Sequence, residues 1–218
     1  MGDWRLKLSF QIDIDIHILY FGYNDHSIFT EKWVKGVAQA IMSSKKETLL
    51  NVSEDLFYLH GFHAIGLKRI ITDADVAIMT LYNHFASKED LIVEVLLRRE
   101  QRYLEQLRIY ADNKAQSVFL NLAEGHAKWL MEHEARGCLF LRAKEEFGAD
   151  PNHVIVQTVN GHKKHLITLI KKSDPEANDR SIMQFMLLLE GSTALAETEN
   201  VKEVCRELIH MTQNSFNS

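Results

Sequence analysis

From residue 44 to the C-terminus, apolar residues recur every three to four positions, and no segment there alternates with a period of two. That period belongs to helices with one buried stripe, so this part of the chain must pack helix on helix. Residues 45–60 carry Leu49, Val52, Leu56 and Phe57 on one face and stop at Gly61, a helix C-cap signal. Residues 67–73 read as a short second helix, Asp75 as a turn residue that tolerates a left-handed conformation, and residues 77–85 as a third short helix. Ser87, followed by Lys88, Glu89 and Asp90, predicts an N-cap with acids in the first turn. It opens a long helix to about residue 110, with Leu91, Val95, Leu96, Tyr103 and Leu107 in its stripe. Helices over 114–133, 138–147, 152–172, 179–198 and 201–213 follow. Pro151 and Pro175, the only prolines, stand where helices should break. The fold class is all-α, with about nine helices.

The start of the chain does not match. Between Leu6 and Tyr20 every second residue is apolar, which is a strand pattern with no partner strand elsewhere. Three readings stand: an N-terminal arm that pairs with its two-fold mate, a helix despite the pattern, or residues foreign to the natural protein. The third is favoured, because "MSSKKETLL" from Met42 is an ordinary polar, basic lead into a first helix. Residues 1–43 are then an extension that is not native or is poorly ordered. If residues 30–43 belong to the fold, they extend the first helix with Trp33, Val37 and Ile41 on one side.

Composition excludes little but orients the rest. The net charge of −5 gives no whole-chain argument for nucleic-acid binding, so such a reading needs local features. Cys138 and Cys205 make no disulfide framework and no metal spacing, which places the chain in a reducing cytoplasm. Asp13 and Asp15 interrupt the only leader-like stretch, and no run of about 18 apolar residues exists to span a membrane. There is no GxSxG, no Gly-rich phosphate loop and no zinc spacing, so an enzyme is not expected and no cofactor is implied.

The informative segment runs from Leu49 to Leu96. Two short helices joined by a tight turn and braced by a preceding helix make a helix-turn-helix. Val76 and Leu81 point inward, leaving Ala77, Ile78, Met79, Thr80, Asn83 and His84 outside. Here the sequence resembles the TetR/AcrR family of bacterial transcriptional regulators. The resemblance covers about 50 residues: "LF" then "GF" within 56–62, "LKRI" at 67–70, "ADV" at 74–76 and "TLYNHFASKEDL" at 80–91. Beyond them only helix layout and length agree. Three positions depart from the family pattern. Asp75 stands where Gly is usual, Ile71 where Ala is usual, and Gly66 where Ser or Thr often caps the second helix.

The resemblance implies an N-terminal three-helix DNA-binding domain (residues 44–92) and a C-terminal helical effector-binding and dimerisation domain (residues 93–218). It implies a DNA-binding, ligand-responsive repressor: a dimer on a pseudo-palindromic operator, released by a small-molecule effector. Lys68, Thr80, Tyr82, His84 and Lys88 take phosphate-holding positions, which fix register without reading sequence. Ala77, Ile78, Met79 and Asn83 take the base-reading positions. Asn pairs with adenine and apolar side chains touch thymine methyls, so A·T-leaning contacts are expected. The other reading of Ile78 and Met79 is packing against the domain. Between Lys45 and Tyr110 there are nine basic and ten acidic residues, so a modest salt slope is expected.

In the C-terminal half, residues 179–198 are apolar on almost every side, as in a helix buried all round. With residues 201–213 they resemble the helix pair of the family's dimer interface, which implies a homodimer. A two-fold dimer sets two reading heads about one DNA turn, ~34 Å, apart. His126 and His162 interrupt apolar stripes. A ligand cavity of Phe119, Trp129, Glu146, Phe147 and Met186, with these two histidines as polar handles, is one reading. Satisfied core histidines and a metal site involving His126, Glu146, His153, His162 and His165 are the others; no metal is expected, because the paired ExxH spacing is missing. Two further alternatives to a regulator are a metal-dependent helical enzyme and a family member that has lost DNA binding and only binds ligand.

Overall fold

A computed structural model describes residues 28–113, 115–133 and 136–216, with side chains from residue 41 apart from residue 42. Chain contacts divide the molecule into Met1–Ser44 and Lys45–Ser218. The alternating segment 6–21 lies outside the described residues. Among the described residues every regular element is a helix: α1 Ile28–His60, α2 Leu67–Asp73, α3 Ile78–Tyr82, α4 Lys88–Ala111, α5 Val118–Glu132, α6 Leu139–Phe147, α7 Val154–Ser173, α8 Asp179–Leu195 and α9 Val201–Phe216.

Several ends fall where local chemistry sets them. Gly61 adopts φ 82, and its N–H donates to Phe57 O at 2.9 Å, closing α1. The Ser87 side chain accepts from Asp90 N at 3.0 Å, a cap worth about 1 kcal/mol. Gly66 caps α2 with backbone alone, as its missing side chain requires. Helical backbone runs from Ile28, so residues 30–43 extend the first helix, the alternative that the sequence left open, and no proline interrupts it. Other ends differ from expectation. Helix α5 begins after the Ser117 cap, not near Lys114, since the Ser117 side chain accepts from Leu120 N. Helix α3 is five residues long, and residues 83–85 leave it through a turn in which His84 N donates to Leu81 O.

The second unit is held by two main cores strung along α4. Its first half lies in a core where Leu49, Phe57, Phe62, Ile70, Leu81, Phe85 and Ile92 meet Phe140 and Ile155 from α6 and α7. Its second half lies in a core where Tyr103 and Leu107 meet Phe119, Leu122, Leu166, Phe185 and Leu208. Each fully buried side chain of this size contributes about 1.5–3 kcal/mol. A small third cluster joins Ala127 and Leu130 of α5 to Cys205 of α9. Helix α4 is therefore a rod with one end in each core.

Helix α8 is not buried all round in the single chain. Ile182, Phe185, Met186 and Leu189 face the core, but Met183 is 61% and Leu187 65% exposed. Leu195 and, on α9, Met211 are exposed as well, and a methyl group added at Gly191 would meet open space. The α8–α9 pair thus carries an uncovered apolar strip.

Candidate functional site

The turn between α2 and α3 depends on Asp75, which takes φ 51, the only positive value at a non-glycine among the described residues. Short polar side chains bear this conformation with the least strain, so the residue replaces a glycine without opening the turn. Val76 packs half-buried on the first core, and Leu81 is fully buried, so α3 is pinned by one edge. Its other faces point outward. Ala77, Tyr82 and Asn83 are exposed, as is Lys68 on α2. Met79 is 65% exposed and projects outward, while Ile78, at 41%, is partly covered. Thr80 is half-buried. His84 is half-buried too, and its Nε2 is enclosed with no hydrogen-bond partner among the described residues. Lys88 is half-buried in the first turn of α4. Burial pulls its ammonium below the usual range, against the opposing pull of Glu89 and Glu146.

A cavity of about 60 Å³ opens between α4, α5, α6, α7 and α8. It brings together three of the expected ligand residues, His126, Trp129 and His162, and adds Arg99, Tyr103, Cys138, Phe140 and Thr193. At roughly 30 Å³ per water, it holds a few solvent molecules as it stands. His126 is fully engaged. Tyr103 Oη lies 2.8 Å from Nδ1, and Thr193 Oγ1 lies 3.1 Å from Nε2 while donating to Leu189 O. Because the Thr193 hydroxyl proton goes to Leu189, Nε2–H donates to Thr193 and Nδ1 accepts from Tyr103. Burial pushes His126 down to about 4, so it stays neutral at pH 7. His162 stacks on Phe140 at 3.8 Å, and its Nδ1 meets Glu100 Oε1 at 3.1 Å. His165 reaches the same oxygen at 3.0 Å. Burial raises the Glu100 carboxyl, but these two hydrogen bonds outweigh it and hold it below the usual carboxylate range.

The other four expected ligand residues stand elsewhere. Phe119 packs on Phe185 and Phe216, and Met186 lies in the same core. Glu146 accepts from Phe62 N at 2.8 Å, from His63 N at 2.6 Å and meets His63 Nδ1 at 2.8 Å. Phe147 stacks on His63 and His153. These two residues end α6 and grip the turn that follows α1. Arg142, also on α6, donates to Tyr58 O. The helix that lines the cavity with Phe140 therefore holds the reading head with its far end.

A second, polar space of about 260 Å³ lies beside the first, and Arg99, His133 and Arg136 line both. Its wall includes Asn51, Glu54, Asp55 and Tyr58 of α1. Glu54 is the hub. It accepts from Arg98 at 3.1 Å, Arg99 at 3.0 Å and Arg102 at 2.6 Å, all on α4. Burial alone would raise its carboxyl, but Arg102 and Arg99 outweigh that and hold it below the usual range. Sequence reasoning counted these arginines only as charge. A signal was present: Val95, Arg99, Tyr103 and Leu107 follow one another at steps of four, so Arg99 interrupts an apolar stripe as His126 does.

Comparison with known proteins bears on the same segments. Residues 49–95 match the family model for bacterial regulatory proteins of the tetR family. The HTH-type transcriptional regulator UidR of Escherichia coli (strain K12) is 37% identical over 60 residues; these make up 28% of this chain and 31% of that regulator. Similar solved structures extend over most of the chain. A TetR-family transcriptional regulator from Streptomyces coelicolor has a TM-score of 0.68 at 23% identity, covering 79% of this chain and 94% of its own. Salmonella enterica GusR has a TM-score of 0.63 at 20% identity, covering 80% and 96%. A TetR regulator from Legionella pneumophila gives 0.66 at 21% identity, covering 78% and 96%. At these identities the structures show the shared fold: a helix-turn-helix head followed by a helical domain.

Proposed function

We propose that the chain, whose residues 49–95 match the tetR-family model, is a ligand-responsive transcriptional repressor of that family. It binds a pseudo-palindromic operator as a homodimer and leaves it when a small molecule enters the C-terminal domain. The observation that carries this reading is the outer face of α3. Ile78, Met79, Tyr82 and Asn83 stand exposed on a helix that Leu81 anchors from behind. In the major groove Asn83 offers a bidentate partner for adenine, and Ala77, Ile78 and Met79 offer apolar contact to thymine methyls. Lys68, Thr80, Tyr82, His84 and Lys88 surround that face and supply phosphate contacts. The strip of Met183, Leu187, Leu195 and Met211 is the dimer surface, which sets the two heads at a fixed spacing. Helix α4 joins head and cavity, so a ligand that binds two positions of α4 unequally changes that spacing. No described helix is long and apolar enough to cross a membrane, and the site of action is the cytoplasm, where the DNA is.

The Tyr82→Ala, Lys88→Ala double variant tests the DNA half of this reading. Tyr82 is exposed and Lys88 is only half-buried, so helix content and oligomeric state should be unchanged. Two phosphate contacts per head vanish, and operator affinity should drop by roughly 100-fold or more in anisotropy titrations. Unchanged affinity in the folded dimer sinks the assignment.

A further inference from the structure

Arg99 is a charged group placed where a cavity ligand must meet it. It is 6% exposed, on the middle of α4, and it lines both spaces. Its guanidinium lies between two rings, 4.7 Å from the centre of Tyr58 and 4.9 Å from that of Trp129. The two aromatic faces fix the plane, which leaves the edge of the fork to make hydrogen bonds. Among the described residues that edge meets one carboxylate, Glu54, and Glu54 is shared with Arg98 and Arg102. Five N–H donors on a planar fork match an oxyanion bidentately, and a single shared carboxylate oxygen at 3.0 Å uses only part of that capacity. Several other polar groups of the inner cavity already have partners, Glu190 among them, which accepts from Lys163 at 2.8 Å. Tyr103, His126 and Thr193 form a closed chain, and His162 is held by Glu100.

We propose that the effector is a small organic oxyanion whose anionic end takes the Arg99 guanidinium from Glu54 while its body enters the cavity beside Trp129, Tyr103 and Phe140. This deepens the regulatory reading above and rests on it for its consequence, but the binding event is independent of DNA. Glu54 belongs to α1, the helix beneath the reading head, and Arg99 belongs to α4, the rod that lines the cavity. The ion pair they form is a tie between head and sensor. An anion that competes for Arg99 loosens that tie, so ligand chemistry and mechanical output reside in one contact. The exchange also suits the dimensions. The anionic end sits at Arg99 within reach of the polar space of about 260 Å³, and the inner space of about 60 Å³ must widen to admit the body, which displaces α4. With His126 neutral, the arginines lining the cavity are Arg99 and Arg136, and both also line the polar space, so the anionic end is held on that side.

Matched pairs with one skeleton and two charges test this on the full chain without DNA: benzoate and benzamide, phenylacetate and phenylacetamide, phenyl phosphate and phenol. Each is added at millimolar concentration, and binding is read by thermal shift and confirmed by calorimetry. The expected result is that one or more anions bind and their neutral partners do not, with carboxylate and phosphate arms identifying the preferred headgroup. In the Glu54→Gln variant the competitor is weakened, so the binding anion should gain affinity by roughly tenfold. Arg99→Met should abolish the response. If Arg99→Met does not fold, the Glu54→Gln gain decides alone, because a merely structural ion pair gives no reason for tighter binding when it is broken. Equal binding of acids and amides, no binding by any anion, or unchanged or weaker anion binding in Glu54→Gln overturns the proposal. A folded chain that binds anions in this way but no operator would overturn the regulatory reading instead.

Discussion

Leu187→Glu should leave a folded chain that sediments as a monomer and has lost its operator. Leu187 is 65% exposed at the centre of the α8 strip, four residues from Met183 and four from Gly191. In a two-fold interface one patch meets its own copy, so a single substitution places two carboxylates in the apolar contact. An unpaired charge buried there costs several kcal/mol, while the same charge on a free monomer is solvated and costs the fold almost nothing. DNA affinity then follows from effective concentration. Two linked heads exceed one by roughly 10²–10⁴, so the monomer should bind the operator that much more weakly. Analytical ultracentrifugation with circular dichroism separates the outcomes. A folded Leu187→Glu dimer would show that the strip is not the interface.

Leu81→Ala should cost the head its stability. Leu81 is the one buried side chain of α3, fully enclosed in the first core, to which Phe62, Ile70 and Phe85 also belong. Its truncation removes apolar burial and leaves a cavity under a five-residue helix with little stability of its own, a loss of roughly 2–5 kcal/mol. Whole domains are stable by only about 5–15 kcal/mol, so a drop in melting temperature of roughly 5–15 °C is expected in calorimetry. Met79 is the internal control. It sits two residues away and is 65% exposed, so Met79→Ala should change stability by less than about 0.5 kcal/mol. Similar melting losses for both variants would mean that α3 is not anchored as described.

The contrast between these neighbours was legible in the sequence. Val76 and Leu81 lie at helical spacing behind Ile78 and Met79, and local signals at Gly61, Asp75 and Ser87 mark turns and caps that obey rules of one or two residues. What was not legible depends on distant pairing. Glu146 resembles a polar residue at the edge of a ligand cavity, yet its carboxylate caps the N–H groups of Phe62 and His63 more than 80 positions earlier in the chain. Nothing local in α6 specifies that partner. Phe119 and Met186 have the size and polarity of cavity residues, but helix rotation turns them into the core below it. The start of α1 is open in the sequence, because the polar run after Met42 reads equally as a leader or as a continuing helix, and the backbone is helical from Ile28.

The most direct test of the central claim is selection of bound sequences from a randomised duplex library by the full chain, followed by salt-titrated anisotropy on the enriched DNA. The account predicts an enriched pseudo-palindrome with half-sites about one helical turn apart, A·T-leaning at the contacted positions. It predicts binding of one dimer or paired dimers with a dissociation constant near 10⁻⁸ M and a modest salt slope. A selection that enriches no sequence, with only weak binding that salt erases, would contradict it: the outward face of α3 would then not be a reading surface.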